Sequence, residues 1–450
     1  GERYYSAEQY EDAAYFYLKA DSINPISGID ANNAAFSLLT IKSRELEAIP
    51  YLEKALSVRK TDHQLIRMNL GTLYHKVFQF NKAIEHFSKY LNNAGPQDRY
   101  IIYCEKMIKT CNTANKIVKK RKEFDIKPMP YPFSKYHTKQ VFITVDGSTI
   151  FFQTADNTIY KSDIENEIYS EPTKLFINQD FKNADLVHVS YDGGKLFFRK
   201  TVRGQMDLFQ GGIVGLTVKD IEELPSVINS KFNEYDLSIS ADGTTIYFSS
   251  DRPGGYGKTD IYKTVLNNSG KWNEAENIGP EINTPFDERF PVIHALNKQI
   301  YFASNGHDNM GGYDMFRSNL TKQNWNEPEN VAFLNTIYDD ISFSQTGNGN
   351  LVVFSRSKDF NPEVQHLWNV NLTQNIPLTI VKGTIKAGTP LTPVKASIKV
   401  YEQETESRMK YVYDPSPKTG KYLLIFPPGK SYNMIVKADN YLPQIIDIDV

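Results

Sequence analysis

The chain has 450 residues, 40% apolar and 23% charged, with a formal net charge of −2; that is a globular composition too long for one core, so about two to four domains are expected. No basic excess is available to neutralise phosphates, so a nucleic-acid partner is not expected. No apolar run reaches about 18 residues, so no membrane-spanning helix is expected either.

The chain opens Gly1-Glu2-Arg3, with no Met and no signal-type segment. This reads as processed or trimmed, with any targeting information elsewhere. Residues 1 to about 122 then repeat with a helical period. Ala13, Ala48 and Ala83 are spaced by 35, as are Ala20, Ala55 and Tyr90. Small residues at fixed positions let paired helices approach, and large ones fill the gap between them. Pro25 ends the first unit, and Pro50 inside the second should kink a helix or shift its start. About three repeats fit, and a further helix from roughly Asp98 to Lys120 would cap the stack. Cys104 and Cys111 lie on that helix about two turns (~10 Å) apart, too far for a disulfide. The basic run Lys119-Lys120-Arg121-Lys122 reads as a solvated helix end favoured by the helix dipole. Pro128, Pro130 and Pro132 then mark a linker.

Residues of about 123 to 376 carry a motif that returns five times: Phe151-Phe152, Phe197-Phe198, Tyr247-Phe248, Tyr301-Phe302 and Val353-Phe354, at steps of 46, 50, 54 and 52. Each copy follows a short alternating strand and a turn, clearest in Ser238-Ile239-Ser240-Ala241-Asp242-Gly243. A third signal comes after it in three units: Asp207-Leu208-Phe209, Asp260-Ile261-Tyr262 and Asp314-Met315-Phe316. Two units add a Trp strand, at Trp272 and Trp325. Four short strands per unit at this period predict a five-bladed β-propeller. The glycine-rich loops 251–257 and 305–312 precede no helix, so they read as tight turns and not as a phosphate cradle.

Residues of about 377 to 450 alternate with Gly and Pro turns, as in Thr379–Ile385, Ala396–Tyr401, Lys418–Ile425 and Ser431–Val436. This predicts a small β-sandwich. The last residues, Ile445 to Val450, read as a strand, and more protein is expected to follow. The fold class expected is therefore multi-domain α plus β: helical repeats (1–122), propeller (123–376) and C-terminal β-sandwich (377–450).

The helical segment resembles tetratricopeptide repeats. The units with Ser240-Ala241-Asp242-Gly243 and Asp260-Ile261-Tyr262 resemble TolB-like, WD-type propeller repeats. The last segment resembles a carboxypeptidase regulatory-like domain through Lys382-Gly383-Thr384 and Thr419-Gly420-Lys421-Tyr422. In this order they are similar to OmpA-family envelope proteins of Bacteroidetes, including those of the PorE type. The resemblance implies a periplasmic protein associated with the outer membrane. It implies partners among envelope proteins of secretion or gliding machinery, such as outer-membrane barrels of the PorP/SprF type. It also implies contact with peptidoglycan through an OmpA-like domain that is absent from this sequence.

No catalytic site is expected. There is no Gly-x-Ser-x-Gly elbow and no His-Glu-x-x-His, and the eight histidines are scattered, so neither metal nor cofactor is expected. The rival is a propeller glycosidase, in which carboxylates from different blades flank a sugar. Asp185, Glu234, Asp236, Glu288, Asp339 and Asp340 fall where inner strands begin. Glu234 aligns with Glu288, and Asp236 with Asp340. Carboxylates repeated from unit to unit point to caps that close the turn into each inner strand, or otherwise to an acidic rim that docks a cation or a basic partner. The repeated Asp207, Asp260 and Asp314 read as bonding local backbone amides. Tyr4, Tyr5, Tyr10 and Tyr15 are candidates to anchor a partner in the helical groove. A small-ligand sensor is a third class, with no positive sign in the sequence.

Overall fold

A computed structural model describes residues 1–58, 63–166, 168–267, 269–357, 365–373, 378–404 and 415–450. It divides into two compact units, Gly1–Lys119 and Lys120–Val450. Among the described residues no helix is long and apolar enough to cross a membrane. The boundary expected between residues 376 and 377 lies outside the described residues.

The first unit is helical: Glu2–Ser6, Tyr10–Ile23, Gly28–Leu39, Ala48–Val58, Gln64–Lys76, Phe80–Asn93 and the start of Ile101–Arg121. Ala13, Ala48, Ala55 and Ala83 are wholly buried where neighbouring helices approach. Gly71 marks a close approach, since a Cβ there would lie 2.8 Å from the Phe87 ring. Pro50 falls in the first turn of its helix, where the missing N–H costs nothing, and so it shifts the start without a kink. Cys104 and Cys111 are buried free thiols, and burial pushes them up to about 11 and about 12. Both are held as inert thiols.

The second unit holds five antiparallel sheets of four or five strands each. Their first strands are Thr138–Ile143, Asp185–Val189, Glu234–Ile239, Glu288–Ile293 and Phe343–Gln345. The recurring aromatic pair sits on the second strand of every sheet. Adjacent residues of a strand point to opposite faces, so a strand that is apolar at both must be covered on both sides. Phe151 packs with Leu186 and Phe198 of the second sheet. Phe197 packs with Leu237 and Phe248 of the third, and Tyr247 with Ile293 and Phe302 of the fourth. Tyr301 packs with Phe343 and Phe354 of the fifth, and Val353 of the fifth returns to Val141 and Phe152 of the first. The sheets thus pack in cyclic succession, the layout of a β-propeller.

The prolines expected as a linker belong in part to this ring. Ile126–Pro128 is a strand that pairs with Gln365–Asn371 and completes the fifth sheet. Pro128 is tolerated because the strand lies at the sheet edge. The last sheet is therefore built from both ends of the sheet-forming stretch.

A short turn joins the first and second strands of each sheet. In four of them a hydroxyl donates to an acid or amide two residues on: Thr144 to Asp146 (2.6 Å), Ser190 to Asp192 (2.6 Å), Ser240 to Asp242 (2.5 Å) and Thr346 to Asn348 (2.8 Å). Gly147, Gly193, Gly243 and Gly349 follow with φ near +70° (71, 70, 68 and 71), a region that side chains resist. The fourth turn uses His294 instead. Its Nδ1 accepts from the Leu296 N–H (3.2 Å), so Nε2 carries the proton and donates to the Gly347 carbonyl (2.9 Å).

Burial lowers His294 to about 4 from an ordinary 6.5. A depressed folded value means that its contribution is intact above about pH 6.5 and is lost as pH falls through about 4, at ~1.4 kcal/mol per unit. His188 and His86 add the same sign, being lowered to about 3 and about 4 by burial. Denaturant titrations from pH 7 to pH 4.5 are expected to show this loss, with a shallower slope in His294→Asn. Equal slopes in the two proteins would remove His294 from the account.

Among the described residues three further sheets follow, the smallest a pairing of Lys386–Ala387 with Thr392–Pro393. Thr379–Thr384 pairs with Lys421–Phe426, and Ala396–Glu402, Ser431–Ala438 and Gln444–Asp449 form a three-stranded sheet. Their shared core holds Ile398, Val400, Leu424, Phe426, Tyr432 and Met434.

Candidate functional site

The expected acidic residues do lie where the first strands begin. Three of them close turns by one repeated design. Glu234 accepts from the Ser230 N–H (3.1 Å) and hydroxyl (2.8 Å). Glu288 does so from Thr284 (both 2.7 Å), and Asp340 from the Thr336 N–H and hydroxyl, the latter at 2.9 Å. Each hydroxyl also accepts from the N–H two residues on: Phe232 (3.1 Å), Phe286 (3.2 Å) and Tyr338 (3.1 Å). Glu234 and Glu288 take a further bond from the second strand, through Ser250 (2.9 Å) and Ser304 (2.7 Å). Asp340 therefore aligns with Glu234 and Glu288, correcting its expected match to Asp236.

An asparagine opens the same turn each time, and the sequence reading missed it. Asn229 spans Leu208, accepting from its N–H and donating to its carbonyl (both 2.9 Å). Asn283 spans Ile261 (2.8 and 2.9 Å), and Asn335 spans Met315 (2.7 and 2.9 Å). These amides tie the start of one sheet to the third strand of the sheet before it. The signal was present: Asn229, Asn283 and Asn335 are spaced by 54 and 52, the spacing of the aromatic pairs. Carbonyls just before the asparagines are taken by Arg252 (Ile228, 2.6 Å), His307 (Ile282, 2.9 Å) and Arg356 (Phe333, 2.8 Å).

Asp185 and Asp236 do something else. They alternate with cations in a chain that crosses four sheets: Lys139, Asp185, Arg199, Asp236, Arg289. Arg199 Nη2 lies 2.5 Å from Asp185, which also pairs with Lys139, and Arg199 Nη1 lies 3.3 Å from Asp236. Arg289 Nε is 2.9 Å from the other Asp236 oxygen, to which Ser249 donates at 3.1 Å. Burial would raise Asp185, but the bond from Lys139 and the charge of Arg199 outweigh it and hold the carboxyl below its usual value. Lys139 ends this chain. The first strands of the first four sheets each carry a bulge near their start, which re-aims side chains locally.

Burial decides what these groups can do. Glu234 and Glu288 are 0% exposed, Asp236 1% and Asp340 7%. Both oxygens of Glu234, Glu288 and Asp236 and one of buried Asp340 are engaged within the protein, so four of the six carboxylates are not presented to a docking partner. Asp185 is half-buried and paired. Asp339 is exposed and accepts from the Tyr313 N–H (2.9 Å). The expected acidic rim reduces to these two.

Desolvation raises Glu234, lifts Asp340 to about 6 and lifts Glu288 to about 7. A carboxyl near 7 suits a general acid, yet Glu288 has no exposed atom with which to reach a substrate. The repeated Asp260 and Asp314 bond local amides, Tyr256 N–H (2.8 Å) and Met310 N–H (3.0 Å). Among the described residues no group of three or more His, Cys, Asp or Glu is placed to hold a metal ion.

The candidate aromatics of the first unit form a local cluster. Tyr4 stacks on Phe16 (5.0 Å between centroids), Tyr5 meets Tyr10 edge-on (5.3 Å), and Tyr15 meets Phe16 (5.2 Å). Tyr15 is 58% exposed and Tyr5 37%, while Tyr4 and Tyr10 are half-buried.

No protein-family model matches the chain, and no curated protein matches it. Among solved structures it is similar to a putative TolB from Agrobacterium tumefaciens, at 14% identity over 65% of this chain and 91% of that one, with a TM-score of 0.33. It is also similar to an alpha-L-arabinofuranosidase from Lactobacillus brevis, at 12% identity over 54% and 92%, TM-score 0.37. A third is the tricorn protease, at 11% identity over 53% of this chain and 26% of that one, TM-score 0.33. None of these likenesses decides what this chain does.

Proposed function

We propose that the chain is a non-catalytic scaffold of the bacterial envelope, periplasmic and associated with the outer membrane. In this reading residues 1–122 are tetratricopeptide repeats that hold partner proteins. Residues 123–376 are a five-bladed TolB/WD-type propeller, and residues 377–450 a carboxypeptidase regulatory-like β-sandwich. The order of modules resembles PorE-like, OmpA-family proteins of Bacteroidetes. That places its partners among envelope proteins of type IX secretion or gliding, an outer-membrane barrel of the PorP/SprF type first among them. Peptidoglycan would be reached through an OmpA-like domain outside this sequence.

The observation that supports a scaffold over a propeller glycosidase is the employment of the carboxylates. A hydrolase needs two carboxyl groups in distinct environments facing a substrate. Here Glu234, Glu288 and Asp340 close turns, and Asp236 lies between two guanidinium groups. Crosslinking in the native envelope followed by mass spectrometry tests the reading. Recovery of an outer-membrane barrel is the expected result. Turnover of an envelope polysaccharide, abolished by Asp236→Asn or Glu288→Gln in a protein that remains folded, would overturn it.

A further inference from the structure

The strand Lys421–Phe426 is unusual for the edge of a small domain, because it has no polar face beyond its first residue. Tyr422, Leu424 and Phe426 turn into the core of the C-terminal sheets. Leu423 and Ile425, on the opposite face, are buried as well, and they pack with Val145, Ala241 and Ala295. Leu378, Ile380, Tyr191 and Leu296 surround this contact.

The ring residues in that contact share one position. Val145, Tyr191, Ala241, Ala295 and Gly347 are each the second residue of the turn joining the first and second strands of their sheet. These turns bond to one another. The Val145 N–H donates to the Tyr191 carbonyl (3.0 Å), and the Gly347 N–H donates to the Val145 carbonyl (2.7 Å). Tyr191 Oη donates to the Ile293 carbonyl, and His294 to that of Gly347. The polar groups of Val145 and Gly347 and the Tyr191 carbonyl are thus engaged sideways, and the apolar side chains of Val145, Ala241 and Ala295 form a floor at one end of the ring. Gly347 has no room for a side chain. A Cβ there would lie 2.5 Å from Val145 Cγ2 and 3.2 Å from Leu378 Cδ2. Lys382 of the C-terminal sheets pairs with Asp146 of the first floor turn at the margin.

We propose that the C-terminal sheets are a fixed lid on the floor of the ring. They seal one end of its central axis, so a partner or ligand of the ring can approach only from the opposite end, where the first strands begin, or from the sides. This stands whether or not the scaffold reading holds. An apolar face covered within one chain has no reason to open in water.

Hydrogen exchange on the full chain tests this, comparing wild type with Leu423→Asp, which places a charge on the ring-facing side of the strand. The floor turns at residues 144–147, 190–193, 240–243 and 294–297 are expected to exchange at least tenfold faster, while strands 396–402 and 431–438 keep their protection. Unchanged exchange at the floor with those strands protected would overturn the proposal. If Leu423→Asp unfolds the C-terminal sheets, the half-buried Ile380→Asp decides: faster exchange at the floor supports a lid, and unchanged exchange refutes it.

Discussion

Asp236→Ala is expected to destabilise the protein by about 3–5 kcal/mol, read from denaturant unfolding, because it strips the shared anion from two largely buried guanidinium groups. Arg199 and Arg289 have side chains only 17% and 19% exposed, and the Asp236 side chain is 2% exposed. Removing the carboxylate strips Arg289 of its anion and leaves Arg199 with Asp185 alone. It also cuts the only bonds described here between the lysine end and the arginine end of the chain across the first strands. Asp339→Ala, at an exposed carboxylate on the same end of the ring, is expected to stay within about 0.5 kcal/mol of wild type. A small effect at Asp236, or an equal one at Asp339, would contradict the assigned roles.

Asn335→Ala is expected to cost about 3 kcal/mol. The side chain answers both backbone groups of Met315 and also donates to Asn330 Oδ1 (2.8 Å). Both Met315 and Asn335 are buried, so the orphaned Met315 N–H would incur about 1–3 kcal/mol of desolvation, to which the lost bonds at the Met315 carbonyl, which keeps the Val331 N–H (2.9 Å), and at Asn330 add. Asn335→Asp should cost at least as much as alanine, since its carboxylate keeps the Met315 N–H but buries a charge against the Met315 carbonyl and Asn330 Oδ1. Asn229→Ala and Asn283→Ala should behave alike, because the same two bonds recur at Leu208 and Ile261. If the three alanine variants ranged from neutral to severe, the shared role would fail. Thermal melts of the three, side by side, are enough to decide.

Legibility in the sequence followed the range of the interaction. The ring was readable because covering a strand on both faces demands two neighbouring large apolar residues, as at Phe151-Phe152, and the demand recurs in every sheet. Turns of the Ser240-Ala241-Asp242-Gly243 kind were readable because their bonds lie within the turn itself. Glu234 and Glu288 as turn caps were readable for the same reason, their partners being four residues away.

The roles that escaped depend on ring closure. Asp236 meets Arg199 and Arg289 at separations of 37 and 53 residues, and no local pattern marks such a pair. Asp340 was matched to Asp236 because Asp339 and Asp340 are adjacent acids, and only the bond from Thr336 shows which one closes the turn. The lid left a trace in Tyr422-Leu423-Leu424-Ile425-Phe426, an apolar run on both faces. A sequence cannot say what covers the second face. Pro128 misled because prolines commonly mark linkers, whereas an edge strand tolerates one equally well.

The most direct test is whether Ile126–Pro128 truly closes the ring against Gln365–Asn371, with Lys127 opposite Asn369. A chain carrying Lys127→Cys and Asn369→Cys should react with dibromobimane to give one fluorescent intramolecular bridge, at native stability, while neither single variant does. Absence of the bridge in the folded double variant, or bridging only between two molecules, would mean that the sheets do not form a closed circle, and the roles assigned to Asp236, Asn335 and the floor turns would fall with it.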